Sequence, residues 1–181
     1  MNAIDETLAH AVLAHVRQLI EAEVASRAAP ASRLPDVRLG GLFVTIYDAD
    51  GEVRGSRGTT APAGTLAELA ASCAHMAAFD DPRFPPVDAP TLAGCRIAVT
   101  LLDRPERIAG PEAIEPGVTA LRIGDGLFSG TTLPEVAWGM GWDAATYLAF
   151  ACRKAGLHAL AWQDPATEVL AYRTARAADG W

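Results

Sequence analysis

Leu42-Phe43-Val44-Thr45-Ile46-Tyr47, then Asp48-Ala49-Asp50-Gly51, then Glu52-Val53-Arg54-Gly55-Ser56-Arg57-Gly58-Thr59 is the stretch on which the fold turns. The first six residues are mostly β-branched or aromatic, which suits a pleated, half-buried surface and predicts a strand. Asp48–Gly51 carries two aspartates and a glycine where positive φ is cheap, so a hairpin turn is expected. The chain returns through Glu52 and Val53, which puts Arg54-Gly55-Ser56-Arg57-Gly58 at the exit of a hairpin strand. Its two glycines predict a second tight turn, with successive N–H groups directed into one space.

Outward from this hairpin the elements are regular. Upstream, Leu8, Val12, Val16, Leu19, Ile20 and Val24 recur at helical spacing, with Asp5 and Thr7 as available caps. That helix should end before Pro30, and residues 27–39, with Pro30 and Pro35, read as loop. Downstream, Thr65-Leu66-Ala67-Glu68 is a capping-box pattern that opens a helix to about Phe79. Leu66, Leu69, Cys73 and either Met76 or Ala77 form its inner face, and Arg83-Phe84-Pro85-Pro86 must be extended or turned.

The rhythm then recurs. Residues 96–102 alternate as a strand, 118–123 form a second candidate, and Gly124-Asp125-Gly126 makes a turn into an extended piece at Leu127-Phe128. Asp143 can cap a helix to Ala155, stopped by Gly156. Residues 168–173 could close the sheet. Two sets of strands, each followed by a helix, predict an α+β fold with a duplicated unit rather than a regular βαβ array. The expected organisation is a single domain over 1–181, with a small subdomain within roughly 85–130.

A chain of 181 residues is long enough for one well-buried core, and 50% hydrophobic with 20% charged residues is a globular balance. The formal charge of −7 opposes phosphate backbones, and no run of arginines and lysines offsets it, so nucleic-acid binding is not expected. The start, Met1-Asn2-Ala3-Ile4-Asp5-Glu6, is acidic where a signal peptide would be basic. No apolar stretch reaches membrane-spanning length, and a cytoplasmic location without membrane partners is the expectation. Cys73, Cys95 and Cys152 are widely spaced and odd in number, so they read as buried free thiols rather than zinc ligands or disulfides. No metal or cofactor is implied.

The chemistry concentrates at Arg54, Gly55, Ser56, Arg57 and Gly58. Two planar guanidinium groups suit a carboxylate or phosphate, the glycines free the backbone, and Ser56 presents a hydroxyl. The alternative is a β-bulge with solvated arginines. Neither the G-x-x-x-x-G-K pattern of a phosphate loop nor the G-x-S-x-G pattern of a nucleophile elbow is present. Asp81 and Arg83 read as an ion pair just past a helix end, positioning the turn rather than acting directly. Glu135, after Pro134, suits a helix start by its charge or could face a cleft. His75 is the one histidine placed to reach the turn as a base, with simple solvent exposure as the other reading. His10 and His15 are wrongly spaced for a shared metal. Trp138, Trp142 and Trp162 read as packing residues, and Trp181 as a chain end.

These motifs also carry a resemblance. Gly41-Leu42-Phe43-Val44-Thr45 followed by Val53-Arg54-Gly55-Ser56-Arg57-Gly58 resembles the AMMECR domain family (AmmeMemoRadiSam system protein A-like), whose signature reads Leu-Arg-Gly-Cys-Ile-Gly. The likeness continues through residues 77–86, Leu133-Pro134-Glu135-Val136-Ala137, Gly141-Trp142-Asp143 and Lys154-Ala155-Gly156-Leu157 with Trp162. It implies two related α+β halves around a curved, barrel-like, mainly antiparallel sheet, with the signature beside a cleft. It also implies a genomic association with a MEMO-type or radical-SAM protein as partner. Ser56 stands where the family has cysteine and Arg57 where it has isoleucine: either any thiol chemistry is lost in this chain, or the role of the position is hydrogen bonding and shape. Two functions emerge as expectations. One is a protein that binds or acts on a small anionic ligand, with Arg54 and Arg57 as the clamp and Ser56, His75 or Glu135 as reacting groups. The other is a non-catalytic binding or adaptor module for the partner enzyme.

Overall fold

A computed structural model describes residues 4–180; Met1, Asn2 and Ala3 of the acidic start, and the terminal Trp181, lie outside them. Five helices and seven strands follow one another in the order α1 (Glu6–Val24), β1 (Gly41–Tyr47), β2 (Val53–Thr59), α2 (Leu66–Ala78), α3 (Ala89–Gly94), β3 (Arg96–Leu102), β4 (Glu106–Arg107), β5 (Thr119–Gly124), β6 (Ser129–Thr132), α4 (Pro134–Met140), α5 (Ala144–Lys154) and β7 (Glu168–Ala178). Hydrogen bonding orders the strands β2-β1-β3-β7-β5-β6, with β4 on β7. The pairs β1–β2, β4–β7, β5–β6 and β5–β7 are all antiparallel. This is the expected α+β class, with two strand–helix halves on a mainly antiparallel sheet.

The local signals that predicted the helices operate as expected. Asp5 accepts the Leu8 N–H at the start of α1, and Thr65 and Glu68 complete a capping box on α2. Asp143 accepts the Thr146 N–H at the start of α5, and Gly156 takes the positive φ (85°) that comes after its end. The last strand runs to Ala178, beyond the Arg173 expected, because the pairing partners of its far end are distant in sequence. Neither the two-residue β4 nor α3, opened by Asp88 and Pro90, was foreseen.

The chain resolves into two compact units, one up to Leu101 together with the stretch from Ala175, the other Leu102–Thr174. In the first unit, Leu42, Val44 and Ile46 of β1, Ile97, Val99 and Leu101 of β3, and Ala175 and Ala177 of β7 share one core with the inner faces of α1 and α2. Strand side chains alternate, so the residues between them lie on the opposite face. That face carries Thr45, Thr100 and Arg176, and both threonines are buried. Behind the apolar face under the helices lies a mixed one, where these polar groups sit among Phe43 and Ala98, and it is this second face that positions the site.

In the second unit, Leu121, Ile123, Val169 and Ala171 pack against Tyr147, Leu148, Ala151 and Cys152 of α5. Trp142 and Trp162 pack against this core as expected. Trp138 does not. It is 76% exposed, because the seven-residue α4 buries only Pro134 and Ala137 and turns Trp138 and Met140 outward. All three cysteines are free and buried.

Candidate functional site

The signature segment is not a turn. Strand β2 runs straight through it, pairing Leu42 with Thr59, Phe43 with Gly58, Val44 with Arg57, Thr45 with Ser56 and Ile46 with Gly55. The one irregularity is a bulge at the Ile46/Tyr47 step, where Arg54 is the extra residue. Neither Gly55 nor Gly58 has a positive φ. Their role is close approach. A Cβ at Gly55 would stand 2.2 Å from the carbonyl oxygen of Ala77 in α2, and one at Gly58 would stand 2.2 Å from that of Leu42. Only a residue without a side chain lets the end of α2 settle on this strand.

Strand β2 lies at one end of the sheet, so every second residue turns its peptide groups away from β1. Ser56 is such a residue. Its N–H donates to Asp81 Oδ2 at 2.9 Å, and its carbonyl accepts from Arg83 Nη2 at 3.2 Å. Arg83 in turn grips Asp81 with two bonds, Nε to Oδ1 at 2.9 Å and Nη2 to Oδ2 at 2.6 Å. The expected ion pair therefore exists, and it positions a strand. Asp81 is only 4% exposed. The Arg83 bonds, seconded by the Ser56 N–H against the cost of burial, hold its carboxyl far below the usual carboxylate range.

The Ser56 side chain faces inward along the polar face. Its Oγ lies 2.9 Å from Thr45 Oγ1, as a directly opposed pair allows. The Arg54 and Arg83 guanidinium carbons stand 5.9 and 5.2 Å from the centre of the Phe84 ring, so two cations share one aromatic group. Arg83 is committed to Asp81, whereas Arg54 forms no ion pair within 4 Å among the described residues, although its charge reaches the Asp88 carboxylate. Arg57 is one residue from Ser56 in regular strand, so its side chain projects from the opposite face. The pair of arginines does not form a single fork around the serine.

His75 occupies the last turn of α2. Its Nδ1 lies 2.8 Å from Glu23 Oε1 and its Nε2 3.3 Å from Asp80 Oδ2. The hydrogen bond to Glu23 raises its pKa, with Asp80 adding to the effect, and both ring nitrogens are engaged away from Ser56. Glu135 belongs to the second unit, in the first turn of α4. There its charge adds to the burial that pushes the Tyr147 phenol well above its ordinary range.

The first unit thus brings together Ser56, Arg54, Asp81 and Arg83 and adds Thr45 and Phe84. Thr45 escaped the sequence reading because a threonine inside a strand is unremarkable by composition. Counting alternation from the apolar Val44 and Ile46 would have set it on the other face, opposite Ser56.

Fold and site together define an α+β protein whose Gly-Ser-Arg-Gly edge strand is clamped by a downstream Asp-Pro-Arg segment. The chain belongs to the AMMECR1 family, whose model matches residues 8–177. It is 38% identical over 138 residues to Protein NEQ441 of Nanoarchaeum equitans, covering 73% of this chain and 77% of that one. It is likewise 38% identical over 138 residues to Protein TK0174 of Thermococcus kodakarensis, with 71% and 67% covered. The crystal structure of the uncharacterized protein PH0010 from Pyrococcus horikoshii matches with a TM-score of 0.88 at 29% identity, covering 99% of this chain and 95% of that one. No described helix is long and apolar enough to cross a membrane.

Proposed function

We propose that the polar face around Ser56 and Thr45 binds a small anionic molecule, with Arg54 supplying the cation and the two hydroxyls supplying donors. The observation that carries this reading is the division of labour between the two arginines at Phe84. Arg83 is neutralised by a buried carboxylate, while Arg54, beside it, has no carboxylate within salt-bridge distance among the described residues, the exposed Asp88 meeting its charge only from farther off. A guanidinium resting on an aromatic ring keeps its fork available for an oxyanion. Hydroxyls that, among the described residues, bond only to one another can each turn toward an incoming acceptor.

Binding fits the geometry better than covalent attack by Ser56. A serine nucleophile needs a base within hydrogen-bond reach. The side-chain partner of Ser56 is a second hydroxyl, and both nitrogens of His75 are engaged by carboxylates. A serine in the place of the family's cysteine points the same way.

The test is calorimetric titration of phosphate, acetate and oxalate into wild type and Arg54→Gln. The expected outcome is an anion whose affinity drops about tenfold in the variant, the loss of one charge-assisted contact. Equal affinity for both proteins removes Arg54 from the site.

The second reading, an adaptor for a MEMO-type or radical-SAM protein, is favoured by apolar side chains left outward in the second unit. Leu127 is 88% exposed, and Trp138, Met140 and Phe128 are also exposed. Aromatic residues and methionine are enriched at protein interfaces. Co-purification with the partner enzyme, lost on Trp138→Ala, is its test.

A further inference from the structure

The second unit contains a hollow of about 680 Å³ that takes no part in the Ser56 site. Its size falls among those of small-molecule sites, roughly 300–1,000 Å³. The two residues of β4 build one side by pairing with Leu170 and Ala171 of β7. The Ile108 N–H then bonds to the Val169 carbonyl, after which the chain leaves the sheet. The other side is the helical turn Ala161–Gln163 and the tight turn after it, in which the Thr167 N–H bonds to the Asp164 carbonyl. Arg107, Ile108, Trp162, Gln163, Pro165 and Thr167 face the space between.

Three of these residues point to an occupant. Thr167 is only 7% exposed, yet no group among the described residues hydrogen-bonds its hydroxyl. It heads the row Thr167, Val169, Ala171, whose other two members lie in the core, so a polar group ends an apolar row at the wall of the hollow. The hydroxyl itself is not sealed from solvent, so it stands open to whatever enters the hollow. Arg107 forms no ion pair among the described residues, although Asp164 lines the same wall. Asp164 Oδ1 instead accepts the Ala166 N–H and shapes the turn. Trp162 is half-buried against the core and turns the rest of its surface to the hollow.

We infer that this hollow binds a small planar carboxylate. The ring lies along Trp162, Ile108 and Pro165, and the carboxylate takes the Arg107 fork and the Thr167 hydroxyl. A single guanidinium beside one hydroxyl matches the two oxygens of a carboxylate. A phosphate dianion fits less well, since Asp164 lines the same wall and no second cation does. The hollow and the Ser56 site share no residue, so either assignment can fail alone.

The experiment is a titration of the ¹⁵N-labelled full chain with benzoate, using benzamide and benzylamine as rings of the same size. Benzoate is expected to give saturable shifts at the Arg107 and Thr167 amides and the Trp162 indole N–H. Benzamide should bind about tenfold more weakly. Arg107→Gln, at an exposed position that leaves the fold intact, should bring benzoate down to the benzamide level. Thr167→Val, which conserves shape, should cost a smaller factor of about three. Three results would overturn the assignment: no saturable shift by about 20 mM benzoate, roughly a 2 kcal/mol interaction; equal binding of all three rings; or shifts confined to the Ser56 face.

Discussion

The hairpin β1–β2 with helix α2 and the hairpin β5–β6 with helix α5 are built by the same rules, and only one of them carries a charged clamp. In both, an outer strand bears a glycine where a helix end presses on it. Gly55 meets Ala77 near the end of α2, and Gly130 meets Ala155 at the end of α5. In both, an inner helix side chain reaches a strand carbonyl. Cys73 Sγ does so at 3.5 Å from the Leu42 oxygen. Tyr147 Oη lies 2.9 Å from the Thr132 oxygen and 3.1 Å from that of Thr119, and its proton can go to either. The two halves part company beyond the helix. The β1–β2–α2 half continues into Asp80-Asp81-Pro82-Arg83-Phe84, which returns to its own outer strand; the other half has no counterpart among the described residues. What the first half adds to the shared packing is a charged segment that closes its own outer strand.

The comparison breaks most directly at the glycines. Gly55→Ala should cost about 3 kcal/mol or more, because the new methyl meets backbone that cannot yield. Gly130→Ala, where the nearest atom is Ala155 Cα at 2.9 Å, should cost less, about 1–2 kcal/mol. Denaturant midpoints measure both, and equal losses would show that the halves are not built differently.

The clamp comes next. Asp81→Asn should cost about 2–3 kcal/mol by weakening charge-assisted bonds to Arg83 and Ser56. Because the folded pKa of Asp81 is depressed, its contribution is present above its ordinary value of 3.8 and lost as pH falls below it. The variant's stability should therefore fall less steeply below about pH 4 than that of wild type, as followed by acid unfolding.

Tyr147→Phe should cost about 1–2 kcal/mol, since it removes the one buried proton that the Thr119 and Thr132 carbonyls share, against about 1 kcal/mol or less for Cys73→Ala with its weak thiol donor. The smallest effect belongs to His75. Its folded pKa is raised, so its stabilisation is complete below its ordinary 6.5 and disappears as pH rises through the folded value. The group is half-exposed, so screening limits the effect to under about 1 kcal/mol. The pH dependence of Tm between wild type and His75→Gln measures it, and parallel curves would remove the histidine from the account.

Most elements were legible because their signals are local. The Asp5, Thr65 and Asp143 caps, the positive φ at Gly51 and the apolar alternation in β1 and β3 each depend on neighbours within a few residues. Arg54–Gly58 was misread because glycine density ordinarily marks a turn. Here the glycines answer to Ala77 and Leu42, contacts that no window of sequence contains. Asp81 and Arg83 were legible as a pair, but not their target, since the groups they hold are the peptide N–H and carbonyl of Ser56, which any residue would have. Trp138 was misplaced because α4 is too short to bury more than one narrow stripe.

The Ser56 peptide, with its outward amide and carbonyl both occupied by side chains, has a consequence for how the molecule behaves in company. A margin strand with idle peptide groups is a template on which a neighbouring molecule can add its own strand, the first step toward fibrils. Asp81 and Arg83 deny that template to other chains for as long as the carboxylate stays ionised. Acid should therefore do more than loosen the fold: it should unmask an adhesive margin.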